Sequence, residues 1–167
     1  GGGYFAHFCD GGGCQSLITV VNLEAVPNPY ILSFFNDNGA PQPVVTDVGT
    51  VSIFAGTLQP FESKTITTSG VALSQVQGWV DLSTPGIVGG SVMFRINLAP
   101  WINSEALVPI DYGYPRYLLS FNEADGSANG FAVSNPMVLS SLTVSVVIRD
   151  GTGQAIATDS FVLPPHN

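Results

Sequence analysis

Apolar and polar residues alternate along most of this chain in short runs, and a period of two residues is that of a β-strand. The clearest run spans residues 15–22, and in the next, 30–36, Tyr30, Leu32 and Phe34 share one face. The same pattern predicts strands at 44–47, 50–54, 64–68, 76–82, 87–96, 116–122, 129–135, 141–149 and 154–163. No segment shows a convincing helical period. The pattern predicts an all-β protein, an antiparallel two-sheet sandwich of the immunoglobulin-like or jelly-roll-like kind, forming one domain over residues 1–167.

Three features refine this prediction. The longest stretch without alternation, residues 99–115, is expected to be an irregular loop, and the pair Gly89-Gly90 indicates a bulge or a close approach of the backbone. The run 141–149 has one apolar face that is expected to pack in the core with Ile18 and Val20; its residues are Leu142, Val144, Val146 and Ile148.

The later part of the chain repeats an earlier part. When Asn22 is set against Asn135, residues 16–35 align with 129–148 without a gap, and strand, asparagine, loop, strand and turn follow in the same order. Extending the comparison gives a pseudo-repeat of 15–68 and 128–167. We interpret this as a sandwich of two similar halves that share one core. The alternative is a similarity common to any two hairpin regions.

The repeat predicts an open sheet edge. The turn at 58–63 leads into a predicted strand at 64–68, whereas the matching Leu163-Pro164-Pro165 is followed by only two residues. An unpaired edge invites another strand, and the extended aromatic arm at residues 1–8 is the natural candidate. The arm is expected to complement a neighbouring subunit by strand donation. Pairing within its own sandwich is the alternative.

Charge is scarce, at 10% of residues, and the net charge is −8. The basic residues are few and scattered (Lys64, Arg95, Arg116 and Arg149), which argues against a nucleic-acid partner. No apolar run approaches the ~20 residues of a membrane span. A chain with so little surface charge either hides its surface in an assembly or covers it with uncharged polar residues. The chain opens without a signal-peptide pattern, as a mature or engineered start would.

Cys9 and Cys14 enclose Asp-Gly-Gly-Gly, a segment that can turn back and bring the two sulfurs together. The pair predicts an extracellular disulfide. A metal site that also uses His7 and Asp10 is the weaker alternative, because a structural zinc site takes four ligands. No metal and no cofactor are expected.

Catalytic motifs such as the nucleophile elbow, the P-loop and HExxH are absent from the sequence. The acidic pairs Glu105 with Asp111 and Glu123 with Asp125 are interpreted as solvated loop residues rather than a glycosidase pair. The Asp-Gly turns are interpreted as turn chemistry rather than Ca²⁺ sites. The aromatic residues Trp101, Tyr112 and Tyr114 are either a contact surface or a platform for sugars.

Several motifs resemble those of secreted β-sandwich modules from environmental bacteria. They are FAHFCDGGGCQSLITVVN, GWVDL, GGSVMFR, the segment Glu105-Ala106-Leu107-Val108-Pro109, YLLSFNEADGSANGFAVSNP and FVLPP. The resemblance covers nearly the whole chain and implies a fold and secretion, with no catalytic residues. The cysteines stand where the modules usually have small or aromatic residues, and similar modules continue with one more strand.

These observations predict a non-enzymatic extracellular protein that assembles with copies of itself into a fibre, tube or surface layer. The alternative is a sugar-binding or adhesive module of a secreted protein. The residues expected to make the assembly interface are Tyr4, Phe5, His7, Phe8, Trp101, Tyr112 and Tyr114.

Overall fold

A computed structural model describes residues 1–98, 102–122 and 129–167 of the chain. These residues form β-strands, turns and irregular segments, and they contain no helix that is long and apolar enough to cross a membrane. The chain divides into two compact units, Gly1–Val133 and Ser134–Asn167. The predicted all-β, antiparallel, two-sheet architecture is confirmed.

The strands follow one another along the chain, and the longest connection, between β10 and β11, has 32 residues (110–141). They are β1 (Gly2–Asp10), β2 (Cys14–Asn22), β3 (Asn28–Phe35), β4 (Val44–Thr46), β5 (Gly49–Val51), β6 (Ile53–Leu58), β7 (Ser63–Thr67), β8 (Val76–Ser83), β9 (Val88–Leu98), β10 (Ile102–Pro109), β11 (Leu142–Arg149) and β12 (Ala155–Leu163).

Two four-stranded antiparallel sheets make the sandwich, and both belong to the first unit. Their strand orders are β1-β8-β3-β6 and β10-β9-β2-β7. β4 and β5 form a separate small hairpin. The second unit contains the antiparallel hairpin β11-β12. The first unit therefore has both layers of a sandwich, and the expected packing of the two repeat halves on each other is not what builds its core.

The core lies between the two sheets. Alternate residues of β2 and β3 point into it, as the sequence pattern predicts, and Ile18, Val20, Leu32 and Phe34 are fully buried. Burying a side chain of this size contributes about 1.5–3 kcal/mol. The ring of Phe8 meets that of Phe34 edge to face, with the centroids 5.4 Å apart. The arm is thus part of the core.

The expected close approach at the Gly89-Gly90 pair is found at Gly90. A Cβ atom on this residue would lie 2.6 Å from the carbonyl oxygen of Thr19 and 3.0 Å from Cζ of Phe5. The backbone of β9 therefore lies directly against a core ring, and only glycine fits there.

Three predictions were wrong. Residues 102–109 lie within the segment expected to be a loop, yet they form β10, which pairs along its length with β9. The predicted strands at 116–122 and 129–135 are irregular where they are described. The apolar face of β11 is not buried, since Leu142 and Ile148 are exposed and Val144 and Val146 are half-buried. Alternation reports which residues can share a face, but pairing decides whether a strand forms.

A buried asparagine fixes the corner after β2. The Nδ2 of Asn22 donates to the carbonyls of Val26, at 2.7 Å, and Gln59, at 3.0 Å. Its Oδ1 accepts the N–H of Glu24 and the Nδ2 of Asn28. This one side chain therefore satisfies polar groups from two separate loops.

The second unit repeats this corner. The Nδ2 of Asn135 donates to the carbonyls of Ser140 and Pro164, both at 2.8 Å, and its Oδ1 accepts the N–H of Met137. Positive φ angles also match, at Phe61 (59°) and His166 (56°) in the two turns. The asparagine bonds a carbonyl four residues on in the first corner and five residues on in the second. The ungapped alignment is therefore wrong by one residue after the asparagine.

The register of the hairpins gives the corrected alignment. Asn28 lies opposite Leu58 in the first unit, and Leu142 lies opposite Leu163 in the second. Leu32 thus corresponds to Val146, and Phe34 corresponds to Ile148.

We expect Asn22→Ala to lower the free energy of unfolding by about 2–4 kcal/mol, because several buried polar groups lose their partner at once. Chemical denaturation measures this change. The control is Asn38→Ala in an exposed turn, where a change within about 0.5 kcal/mol is expected. Equal effects of the two substitutions would contradict the role of the corner.

We expect Gly90→Ala to destabilise the first unit by about 1–3 kcal/mol, because the added methyl group must displace backbone or the Phe5 ring. The matched control is Gly151→Ala, where the added atom would have nothing within 4 Å. Thermal unfolding followed by the fluorescence of the buried Trp79 reports on the first unit. An unchanged melting temperature for Gly90→Ala would refute the close approach.

Candidate functional site

The N-terminal arm lies in its own chain as β1. β1 pairs with β8 from Gly2 opposite Ser83 to Asp10 opposite Val76, with an irregularity between Phe5 and Phe8. Phe5 and Phe8 are fully buried. Pairing within its own sandwich is thus the arrangement that the structure describes. These two side chains are not at the surface of the single chain, and their role in assembly stays a prediction.

Tyr4 and His7 belong to the same strand and are half-buried. The ring of Tyr4 meets that of Trp79 edge to face at 6.4 Å, and His7 contacts Phe94 at 5.3 Å between centroids. Burial lowers the pKa of His7, and the charge of Asp37 opposes this shift.

This lowered pKa predicts a pH dependence of stability. Because the folded state binds a proton less readily than the unfolded chain, the stabilisation is present above the ordinary histidine pKa of 6.5 and is lost as pH falls from there through the folded-state pKa. Carboxylates titrate mostly below this window. We expect the unfolding free energy of the wild type to decrease on acidification just below pH ~6.5, and His7→Gln to flatten that slope. His166→Gln, in the other unit, is the control. A slope that His7→Gln leaves unchanged would argue against this assignment.

The turn between β1 and β2 is closed by the predicted disulfide, which is confirmed. Cys9 and Cys14 are bonded, with their Cα atoms 5.8 Å apart. The three glycines between them have φ angles of 80°, 59° and 85°, which the turn requires. Both sulfurs are used in this bond, so they do not serve the alternative metal site as thiolate ligands.

Buried polar groups hold the disulfide turn in place. The Oγ of Ser16 donates to the carbonyl of Cys9 and accepts its N–H, both at 2.9 Å. The carboxylate of Asp10 is almost fully buried and accepts the N–H of Gly70 at 2.6 Å. Asp10 is therefore a structural residue that fastens this turn to the loop after β7.

A cluster of tyrosines follows β10. We call Tyr112, Tyr114 and Tyr117 the tyrosine cluster; each is more than half exposed. The hydroxyl of Tyr117 donates to Oδ1 of Asp111 at 2.7 Å and accepts the N–H of Tyr114 at 2.8 Å. Partial burial raises the pKa of Tyr117, and the bond to Asp111 acts in the same direction. The loop is ordered by these bonds, while its rings face outward.

The arm and the tyrosine cluster meet at one place. The N–H of Tyr4 donates to the carbonyl of Asp111 at 2.7 Å, and the N–H of Asp111 donates back at 2.9 Å. Tyr4, Tyr112 and Asp81 line a shallow groove beside the first three glycines. Two groups of residues that the sequence proposed for an interface are thus neighbours. Trp101, the remaining predicted interface residue, lies outside the described residues.

The sequence did not predict that Asp81 and Asp111 lie where the arm meets the tyrosine cluster. Asp81 sits at an ordinary outward position of a strand, and its sequence context carries no signal. Asp111 was considered only as an acid paired with Glu105. The carboxylate of Glu105 instead forms an ion pair with Arg95 at 2.8 Å.

Asp150 acts in a turn. Oδ1 of Asp150 accepts bonds from the hydroxyl and N–H of Thr152 and from the N–H of Gln154, and these bonds lower the pKa of Asp150. Glu123 and Asp125 lie outside the described residues. Within the described ranges, no three histidine, cysteine or acidic residues gather as a metal site.

Comparison with known proteins adds no relative. No protein-family model, no curated protein and no solved structure matches the chain. The resemblance to secreted bacterial modules stays a prediction.

Proposed function

We propose that this chain is a non-enzymatic extracellular structural protein that assembles with copies of itself into a fibre, tube or layer. One observation carries the proposal: four of the five residues 117–121 are apolar and exposed. Tyr117, Leu118, Leu119 and Phe121 are all more than half exposed, and Leu118 is 95% exposed. Isolated exposed apolar residues are ordinary, but a contiguous run of this kind marks an interaction surface.

Composition and covalent chemistry support the same proposal. With 10% charged residues, the surface has little of the charge that keeps separate molecules apart. The disulfide at the β1–β2 turn suits an oxidising compartment outside the cytosol. The groove beside Tyr4 and the tyrosine cluster is a second surface that a neighbouring copy can contact, because tyrosine is enriched at interface centres.

The second candidate function is sugar binding. Its support is the tyrosine cluster itself, where the Tyr114 and Tyr117 rings lie 6.2 Å apart at 80° beside the carboxylate of Asp111. Exposed aromatic faces combined with a hydrogen-bonding acid can hold a sugar ring.

Negative-stain microscopy of the purified protein tests the first proposal, with ordered polymers as the expected result. Tyr114→Ala should weaken assembly, seen as a higher concentration needed for polymers in light scattering, while the melting temperature stays unchanged because the ring is exposed. Ile53→Ala, at another exposed apolar residue, is the control. A variant Tyr114→Ala that polymerises like the parent but no longer binds a glycan panel would favour the second candidate.

A further inference from the structure

The sandwich of the first unit consists of two sets of four strands that exchange one strand each. We call β1, β2, β3 and β6 the first half-module, and β7, β8, β9 and β10 the second. One sheet has the order β1-β8-β3-β6, and the other, starting from its opposite edge, has the order β7-β2-β9-β10. Each half-module places its first, third and fourth strands in one sheet and its second strand in the other. The two half-modules are therefore related by a pseudo-twofold exchange.

This exchange separates two kinds of strand pairing. The third and fourth strands pair within a half-module, β3 with β6 and β9 with β10. The first and second strands pair only with the other half-module across the described residues: β1 with β8, and β2 with β7 and β9. A half-module without its mate can form one hairpin, but its first two strands lack partners for their N–H and C=O groups.

Residues 116–167 contain a third half-module. β11 and β12 correspond to β3 and β6 through the repeated asparagine corner. The offset of 113 residues between Asn22 and Asn135 also aligns Phe131 with Ile18 and Val133 with Val20 in the sequence. It places Leu118 on Phe5 and Phe121 on Phe8. Segments 116–122 and 129–135 are thus the counterparts of the first and second strands.

The third half-module is in the state expected without a mate. Phe5, Phe8, Ile18 and Val20 are at most 1% exposed. Their counterparts are exposed, at 95% for Leu118, 51% for Phe121, 54% for Phe131 and 37% for Val133. Among the described residues of 116–167, the strand pairing present is that of the hairpin β11-β12, which a half-module makes by itself.

We propose that two copies of this chain pair their third half-modules about a twofold axis and exchange second strands. Residues 129–135 of each copy insert between residues 116–122 and β11 of the other copy. A second copy brings the same four-strand arrangement, and identical surfaces satisfy a twofold interface. The inference deepens the proposed function, on which it rests, by naming the strands that join two subunits.

The charges of the third half-module are compatible with this pairing. Asp159 lies opposite Val146 on the apolar side of the hairpin. By the corrected alignment it corresponds to Phe54 on β6, which is an edge strand, and Phe54 is only half-buried. The carboxylate therefore stays at the rim of the new core.

The first unit also gives the register of the exchange. Three corners follow the second strands, at Asn22, Thr84 and Asn135, and in each the side-chain oxygen accepts the N–H two residues on. Counted from its corner, Val80 corresponds to Phe131 and Leu82 to Val133. Because β8 pairs with β3 as Val80 opposite Phe34 and Leu82 opposite Leu32, Phe131 should lie opposite Ile148, and Val133 opposite Val146, of the other copy.

Cysteine cross-linking tests this register in the full chain. One preparation carries Phe131→Cys and another Ile148→Cys, and equal amounts are mixed, unfolded and refolded together, and oxidised mildly. We expect a covalent heterodimer on a non-reducing gel, because opposed residues of neighbouring strands have Cβ atoms about 4.5–5.5 Å apart. The matched control replaces Ile148→Cys with Val147→Cys, whose side chain points to the opposite face, and should give only background dimer.

A second measurement does not depend on oxidation. Val133→Lys should reduce the dimer mass to that of a monomer in light scattering, because a charge would enter the shared core. Leu73→Lys, at a residue that is 99% exposed, should leave the mass unchanged.

Two results of the cross-linking and mass measurements would overturn the inference, and one microscopy result given below would do so as well. One is an intramolecular disulfide in the double variant Phe131→Cys with Ile148→Cys and no link between the single variants, which would mean that each chain closes on itself. The other is a monomeric mass for the parent chain at concentrations of tens of micromolar, on the order of a weak dimer's dissociation constant. Polymers that form without the Phe131–Ile148 link would refute this exchange and leave the proposed function standing. A linked dimer that never polymerises would support this exchange and refute the proposed function.

Discussion

Backbone hydrogen bonding between half-modules is the constraint on which the sandwich depends. β1 and β2 carry much of the core, including Phe5 and Ile18, yet neither strand pairs with the other over its length. Their N–H and C=O groups are satisfied by β8, and by β7 and β9. The first half-module therefore needs the second one twice, for the burial of its apolar side chains between the sheets and for backbone hydrogen bonding within them. The core cannot form until both half-modules are in place, which makes the fold cooperative.

Alternation in the sequence correctly predicted those strands of the first unit that have a hydrogen-bonded strand on each side. β2, β3 and β8 begin and end within two residues of the predicted bounds. It failed at β10, where Ser104 and Glu105 interrupt the apolar pattern because that strand lies at a sheet edge and its side chains are exposed. It failed in the other direction at 116–122, where the alternation is regular but no strand among the described residues pairs with it.

The candidate site was predicted only in part. Tyr112 and Tyr114 could be predicted because tyrosine is enriched at the centres of interfaces, and these two lie in a stretch without strand alternation. The contact of Tyr4 with Asp111 joins residues more than a hundred positions apart, and no local pattern reports it. Phe5 and Phe8 were expected at an interface because the arm looked separate. A period of two would put these two residues on opposite faces, and both are buried because the register of β1 shifts between them.

The long separation between β1 and β8 has a consequence for the synthesis of the protein. A chain that emerges from the ribosome from its N-terminus exposes Gly2–Asp10 long before its partner Val76–Ser83 exists. Contacts of this range make folding slow, so the nascent segment stays unpaired for longer than a segment whose partner is local. The Cys9–Cys14 loop, in contrast, needs only neighbouring residues and can close as soon as the chain meets an oxidant. Closure of the disulfide loop before assembly of the sheet is the order that this topology favours.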